Sequence, residues 1–118
     1  MFGKRRNKSD AKALPEPPPG FALASKRVSL DRAPVRFMYR EKPGSAVDSG
    51  WRFFAGDETD EYANNPDNIS LNAVTTICEI DPDIIPHLNA PHGTAFERTK
   101  PKGPFTRSDW QVPTEESS

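Results

Sequence analysis

The segment VRFMYRE, Val35–Glu41, places Val35, Phe37 and Tyr39 on one side of an extended chain and Arg36, Met38 and Arg40 on the other. Side chains of a strand alternate with a period of two, so this pattern predicts a half-buried antiparallel strand. Upstream, FALASKRVSL (Phe21–Leu30) sets Phe21, Leu23 and Ser25 on one face, with Val28 and Leu30 following after an irregularity at Lys26 and Arg27. Asp31 and Pro34 give the intervening SLDRAP turn chemistry, so the two strands are expected to form a hairpin.

Downstream, KPGSAVDSG (Lys42–Gly50) reads as a loop and WRFF (Trp51–Phe54) as a short apolar strand ended by Gly56. NNPDN is a turn cluster. SLNAVTTICEI then spaces Leu71, Val74, Ile77 and Cys78 at helical intervals, with Ser70 or Asn72 as a cap and Pro82 as the stop. Its Val, Thr and Ile content also suits a strand. DPDIIPHL predicts a short second helix with Pro82 at its first position, where the missing N–H costs nothing, and with Ile84, Ile85 and Leu88 on the core side. GTAFERT predicts a further strand anchored by Phe96.

These elements imply an α+β fold, a small antiparallel sheet with one or two helices packed on a face, over residues 20–98. Residues 1–19 read as a basic, proline-rich leader that stays disordered, and 99–118 as a largely irregular tail whose Phe105 and Trp110 can lie on the domain. A domain of about 80 residues has little interior, so Phe21, Phe37, Tyr39, Trp51, Phe53, Phe54 and Phe96 must supply much of the buried area.

Composition removes several function classes. No apolar run approaches the roughly 20 residues that span a bilayer, and no secretory h-region is present, so a soluble cytoplasmic protein is expected. The single Cys78 cannot build a disulfide framework or a Cys-rich zinc site, and reads as a buried structural thiol. The leader has five Lys/Arg against two Asp/Glu, a net +3, whereas residues 20–98 hold eight against twelve, a net −4. The basic KRRNK is read as a solubilising tail, and nucleic acid is not an expected partner.

The main candidate site lies in WRFFAGDETDEY, Trp51–Tyr62, where Asp57, Glu58, Asp60 and Glu61 crowd into five positions. Acid–base catalysis needs carboxyls in contrasting environments, while consecutive acids after a strand end sit in water. An EF-hand register from Asp57 fails: Tyr62 takes the glycine position and Asn68 the closing glutamate. His87 and His92 have no cysteine or further histidine to join them, so a metal would have to recruit acids from elsewhere. No phosphate loop or nucleophile motif is present, so no enzyme, cofactor or metal is predicted. A docking surface remains, in which acids steer a basic partner and neighbouring aromatic side chains anchor it.

The order GFALASKRV, VRFMYREKP, DSGWRFFAGDETDEY, NPDNISLN, DPDIIPHLNAP, GTAFER resembles the bacterial immunity protein 33-like family over residues 20–98. GWRFFAGDE with Asp60, Glu61 and Tyr62, and DPDIIPHL with GTAFER, carry the resemblance most specifically. It implies an α+β immunity protein of a polymorphic toxin system that binds and masks a cognate toxin. On that reading Asp57, Glu58, Asp60 and Glu61 are the electrostatic contacts, Tyr62 and Trp51 the aromatic anchors, and Asp81 and Asp83 an extension of the acidic surface. Trp51 fits the core equally, because alternation puts it on one face with Phe53. The alternative from another class is a small regulatory or ligand-binding module, cation-dependent through the same acids.

Overall fold

The computed structural model describes residues 20–113, so the leader 1–19 and the last residues of the tail lie outside it. Strands β1 (Phe21–Ser25), β2 (Phe37–Arg40), β3 (Asp48–Phe54), β4 (Ile69–Ala73), β5 (Ala95–Glu97) and β6 (Thr106–Arg107) form one sheet in the order β4-β1-β3-β2-β5-β6. Short helices α1 (Lys26–Ser29), α2 (Asp60–Ala63) and α3 (Val74–Ile80) and 3-10 segments at Pro66–Asn68 and Pro82–His87 connect them. This is an α+β fold, as the sequence patterns predict.

The expected hairpin between the first two strands does not form. β3 is inserted between them, pairing antiparallel with β2 and parallel with β1, so the sheet is mixed. β1 takes β4 as its other neighbour, antiparallel. Parallel pairing demands a long crossover, and α1, β2 and the following loop all lie within it. β3 can enter this central position because Gly50, at φ 88°, brings the chain against β2's end: a Cβ there would lie 2.3 Å from the Glu41 carbonyl oxygen. That approach lets the Glu41 N–H donate to the Gly50 carbonyl at 2.9 Å.

The strand faces also differ from expectation. On β1 it is Ala22 and Ala24 that point into the core, and on β2 it is Met38, all at 0–1% exposure. Met38 sits opposite Phe53 on one side and Phe96 on the other, where an unbranched, adaptable side chain fills the gap between two rings. Val35 is buried as well, because it precedes β2 and is tied inward by its N–H to Asp81 Oδ2 at 2.9 Å. Phe37 and Tyr39 therefore occupy the opposite face.

The core lies between the sheet and one layer of helical segments. Trp51 and Phe53 of β3 stack at 6.0 Å and meet Val28 of α1, Ile77 of α3, and Ile84 and Leu88. The Trp51 indole N–H donates to the Leu88 carbonyl at 3.0 Å, so the ring is buried without an orphaned donor. SLNAVTTICEI divides at Ala73: Ser70–Ala73 belong to β4 and pair with β1, while the β-branched remainder forms α3, where Val74, Ile77 and Cys78 turn to the core. Ser70 and Asn72 cap nothing. Ser70 Oγ instead donates to Ser29 Oγ at 2.8 Å and accepts from Asn72 Nδ2 at 2.9 Å. Pro82 opens its 3-10 segment as predicted, with Asp81 Oδ1 accepting from the Asp83 N–H at 3.1 Å.

Candidate functional site

The acids of the Trp51–Tyr62 stretch divide into two pairs with different work. Glu58 folds back on the strand end: Oε2 accepts from Ser25 Oγ at 2.5 Å and the Ala55 N–H at 2.7 Å, and Oε1 from the Gly56 N–H at 2.9 Å. It satisfies main-chain donors left where β3 stops, which makes it a structural clasp between β1 and β3. Asp57 accepts two hydrogen bonds from Arg27, at 2.6 and 3.2 Å, and Arg27 also reaches Asp31 at 3.1 Å. The Arg27 hydrogen bond holds the Asp57 carboxyl below its usual range, and the two carboxylates hold the guanidinium charged.

Asp60 and Glu61 form the first turn of α2, capped by Thr59 Oγ1 accepting from the Tyr62 N–H at 3.1 Å. Both are exposed, and among the described residues neither enters an ion pair. Acids at a helix start are favourable there because they face unpaired N–H groups, so the turn holds two negative charges without internal neutralisation. Tyr62 beside them is half-buried.

The sheet face opposite the core carries an aromatic cluster that periodicity alone assigned to the interior. Phe37 and Tyr39 of β2 and Phe54 of β3 lie with centroids 5.9–6.2 Å apart, Tyr39 and Phe54 nearly parallel at 12°. Trp110, arriving after β6, lies 4.6 Å from Tyr39 and edge-on to Phe37 at 5.3 Å, yet remains 45% exposed. Further along this face Leu71 of β4 is 67% exposed and Phe21 of β1 39%. In the middle Arg52 is fixed by Asp48, with bonds of 2.9 Å from both terminal nitrogens, and by Glu41 through Nε. Hydrogen bonding from Arg52 pulls the Asp48 carboxyl far below its ordinary value, while burial and the Glu41 charge push the Tyr39 phenol up.

The two features meet. A cleft of about 510 Å³ is walled by Phe37, Tyr39, Phe54 and Trp110, and Asp60 and Glu97 also line it. Arg36 also borders the cleft and is anchored to main chain, its Nε donating to the Ala55 carbonyl at 2.9 Å and Nη1 to the Thr99 carbonyl at 3.2 Å, which fixes its position and leaves its charge. Glu97, opposite Phe37 in the ladder, is exposed and joins no ion pair among the described residues. The result is an apolar floor with uncompensated carboxylates at its border.

Other expected site residues lie elsewhere. Trp51 is 0% exposed, and of its two readings the structure takes the core one. Asp81 is 3% exposed, bound to Arg98 at 2.6 Å, and is no part of a surface, because its charge is consumed internally. Asp83 is exposed but bonded to the same Arg98 at 3.0 Å. His87 packs between Phe96 at 4.7 Å and Phe105 at 5.3 Å, and burial together with the Arg98 charge lowers its pKa. Cys78 is buried, which raises its thiol pKa. Among the described residues no three or more His, Cys, Asp or Glu side chains are grouped to hold a metal ion, and no helix is long and apolar enough to cross a membrane.

Sequence reasoning missed the cluster around Phe37 and Trp110. The available signal was a surplus of aromatic residues on both sides of β2 and β3, more than one small core can absorb.

No curated protein and no solved structure gives a significant match to the chain. The family model of the immunity protein Imm33 domain matches residues 22–109, a span that includes the acidic turn, β6 and the open sheet face apart from Phe21 and Trp110 at its two ends. On that match, the chain belongs to the Imm33 immunity protein family.

Proposed function

We propose that the protein binds a cognate toxin domain of a bacterial polymorphic toxin system and masks it in a one-to-one complex, without turnover or cofactor. The contact surface is the open sheet face around the Phe37–Tyr39–Phe54–Trp110 cleft, with Asp60, Glu61 and Tyr62 at its border. One observation carries this reading: exposed carboxylates that enter no ion pair among the described residues adjoin an aromatic cleft on a sheet face that the core does not use. Aromatic residues in a concave patch are the usual energetic anchors of interfaces, and rim charges of one sign raise the encounter rate with an oppositely charged partner. The net charge of −4 over residues 20–98 suits a toxin with a basic surface. A lone, buried thiol is in keeping with action in the reducing cytoplasm.

Asp57, Glu58, Asp81 and Asp83 act as supports of this surface instead of as contacts, since each is engaged within the chain. The test is co-expression with the toxin domains encoded in the source genome, reading growth rescue and complex formation by calorimetry at two salt concentrations. Wild-type protein is expected to rescue growth and bind with salt-sensitive affinity. Asp60→Asn with Glu61→Gln is expected to bind more weakly and with a shallower salt dependence. Absence of rescue and of a complex overturns the reading.

A further inference from the structure

The cleft on the open face has a chemistry more specific than an apolar anchor site. Its aromatic rings present negative π-faces, Tyr39 and Phe54 lying nearly parallel as a floor with Trp110 tilted at 46° to Tyr39 as a wall. Cations are attracted to such faces, most strongly where water is partly excluded. Among the described residues Asp60 and Glu97 enter no ion pair, and Arg36, which also lines the cleft, is held in place by the Ala55 and Thr99 carbonyls but keeps its charge. The remaining lining charges are Glu58, engaged with main-chain N–H groups, and Arg98, engaged with Asp81 and Asp83. With Arg98 offset by Asp81 and Asp83, the lining sets Glu58, Asp60 and Glu97 against Arg36, and an aromatic cleft with this negative excess selects a cation over a neutral apolar group.

We infer that the cleft is a receptor for a single arginine side chain of the partner, its guanidinium lying flat on the aromatic floor and its N–H edge donating to Asp60 or Glu97. This deepens the toxin-binding reading and rests on it for the source of the arginine, though not for the chemistry. Arginine fits better than lysine because a planar guanidinium can stack on a ring and fork toward a carboxylate at once, which a tetrahedral ammonium cannot do.

The probe is the capped tripeptide acetyl-Gly-Arg-Gly-amide, titrated into the full chain and followed by proton–nitrogen NMR, with the citrulline tripeptide as a neutral counterpart of the same shape. The expected result is saturable shifts at the Trp110 indole N–H and the amides of Asp60 to Ala63, with roughly millimolar affinity, and about tenfold weaker binding of the citrulline peptide. Asp60→Asn with Glu97→Gln, two exposed positions, should weaken the arginine peptide about tenfold while leaving the core spectrum unchanged. Equal binding of both peptides, no saturable shift, or shifts confined to another surface overturns the proposal. The same double variant is then titrated with the toxin domain. If wild-type protein binds the toxin and the variant binds it equally well, the arginine receptor falls and the immunity reading stands. If the arginine peptide binds as expected but no toxin domain does, the receptor stands and the immunity reading falls.

Discussion

Arg98 and Asp81 form an ion pair 2.6 Å long whose side chains keep only 1% and 3% of their exposure. The pair ties β5's end to the start of the 3-10 segment Pro82–His87, and Arg98 Nε also donates to the Val35 carbonyl at 2.9 Å. Three stretches distant in sequence are fixed at this point. Breaking a buried pair from one side leaves a charge without water or partner, which is far costlier than replacing both members by apolar residues.

Arg98→Met should therefore destabilise the protein by about 3–5 kcal/mol in urea unfolding, because Asp81 is left buried with its charge. Asp83→Asn, which removes the exposed partner of the same guanidinium, should cost less than about 1 kcal/mol. Similar losses for the two variants would contradict the division between dry and wet partners.

Glu58 and its neighbours separate in the same way. Glu58→Ala strips acceptors from the Ala55 and Gly56 N–H groups and from the Ser25 hydroxyl, and is expected to cost about 1–3 kcal/mol. Asp60→Asn and Glu61→Gln, whose side chains face water, should each stay within about 0.5 kcal/mol of wild type. Thermal unfolding of the three single variants provides the comparison.

Acid should act through Asp48. Its folded pKa is depressed, chiefly by hydrogen bonding from Arg52, so its contribution is fully present above the ordinary carboxylate pKa and is lost as pH falls toward the depressed value. Stability should decline below about pH 4, and Asp48→Asn should flatten that limb while lowering the neutral-pH plateau. Denaturant midpoints from pH 2 to 7 test this.

His87 predicts a separate slope at milder pH. Burial and the Arg98 charge depress its folded pKa, so the unfolded chain binds the proton more readily. Stability should accordingly rise as pH climbs toward the ordinary imidazole value and level off above about pH 7, and His87→Gln should remove that rise. An unchanged slope in the variant would assign it to other groups.

Much of the architecture was legible because it depends on local pattern: the strands at Phe37–Arg40 and within Asp48–Phe54, the Pro82 start and the Phe96 anchor follow from alternation and proline chemistry. Which strands pair was not, since the insertion of β3 between β1 and β2 depends on contacts across the whole domain. The face of β2 was misread for a related reason. Phe37 and Tyr39 leave the core only because Phe54 and Trp110 meet them on the other side, and Trp110 lies in a stretch that composition marks as irregular. At the candidate site the acidic run was visible, but its sorting was hidden: Arg27 and Ser25, the partners that engage Asp57 and Glu58, stand about 30 residues earlier in the chain.

The position of β1 between β3 and β4 has a consequence for the nascent chain. FALAS is made before the other described strands of the sheet, yet both of its edges wait for segments made later, Asp48–Phe54 and then Ile69–Ala73. At ordinary elongation speed that interval is roughly 2–10 s, during which a strand destined for the interior of the sheet has no native neighbour on its β4 side. A polypeptide released anywhere before Ala73 would keep one edge of that strand bare, so the domain becomes whole only late in its own synthesis.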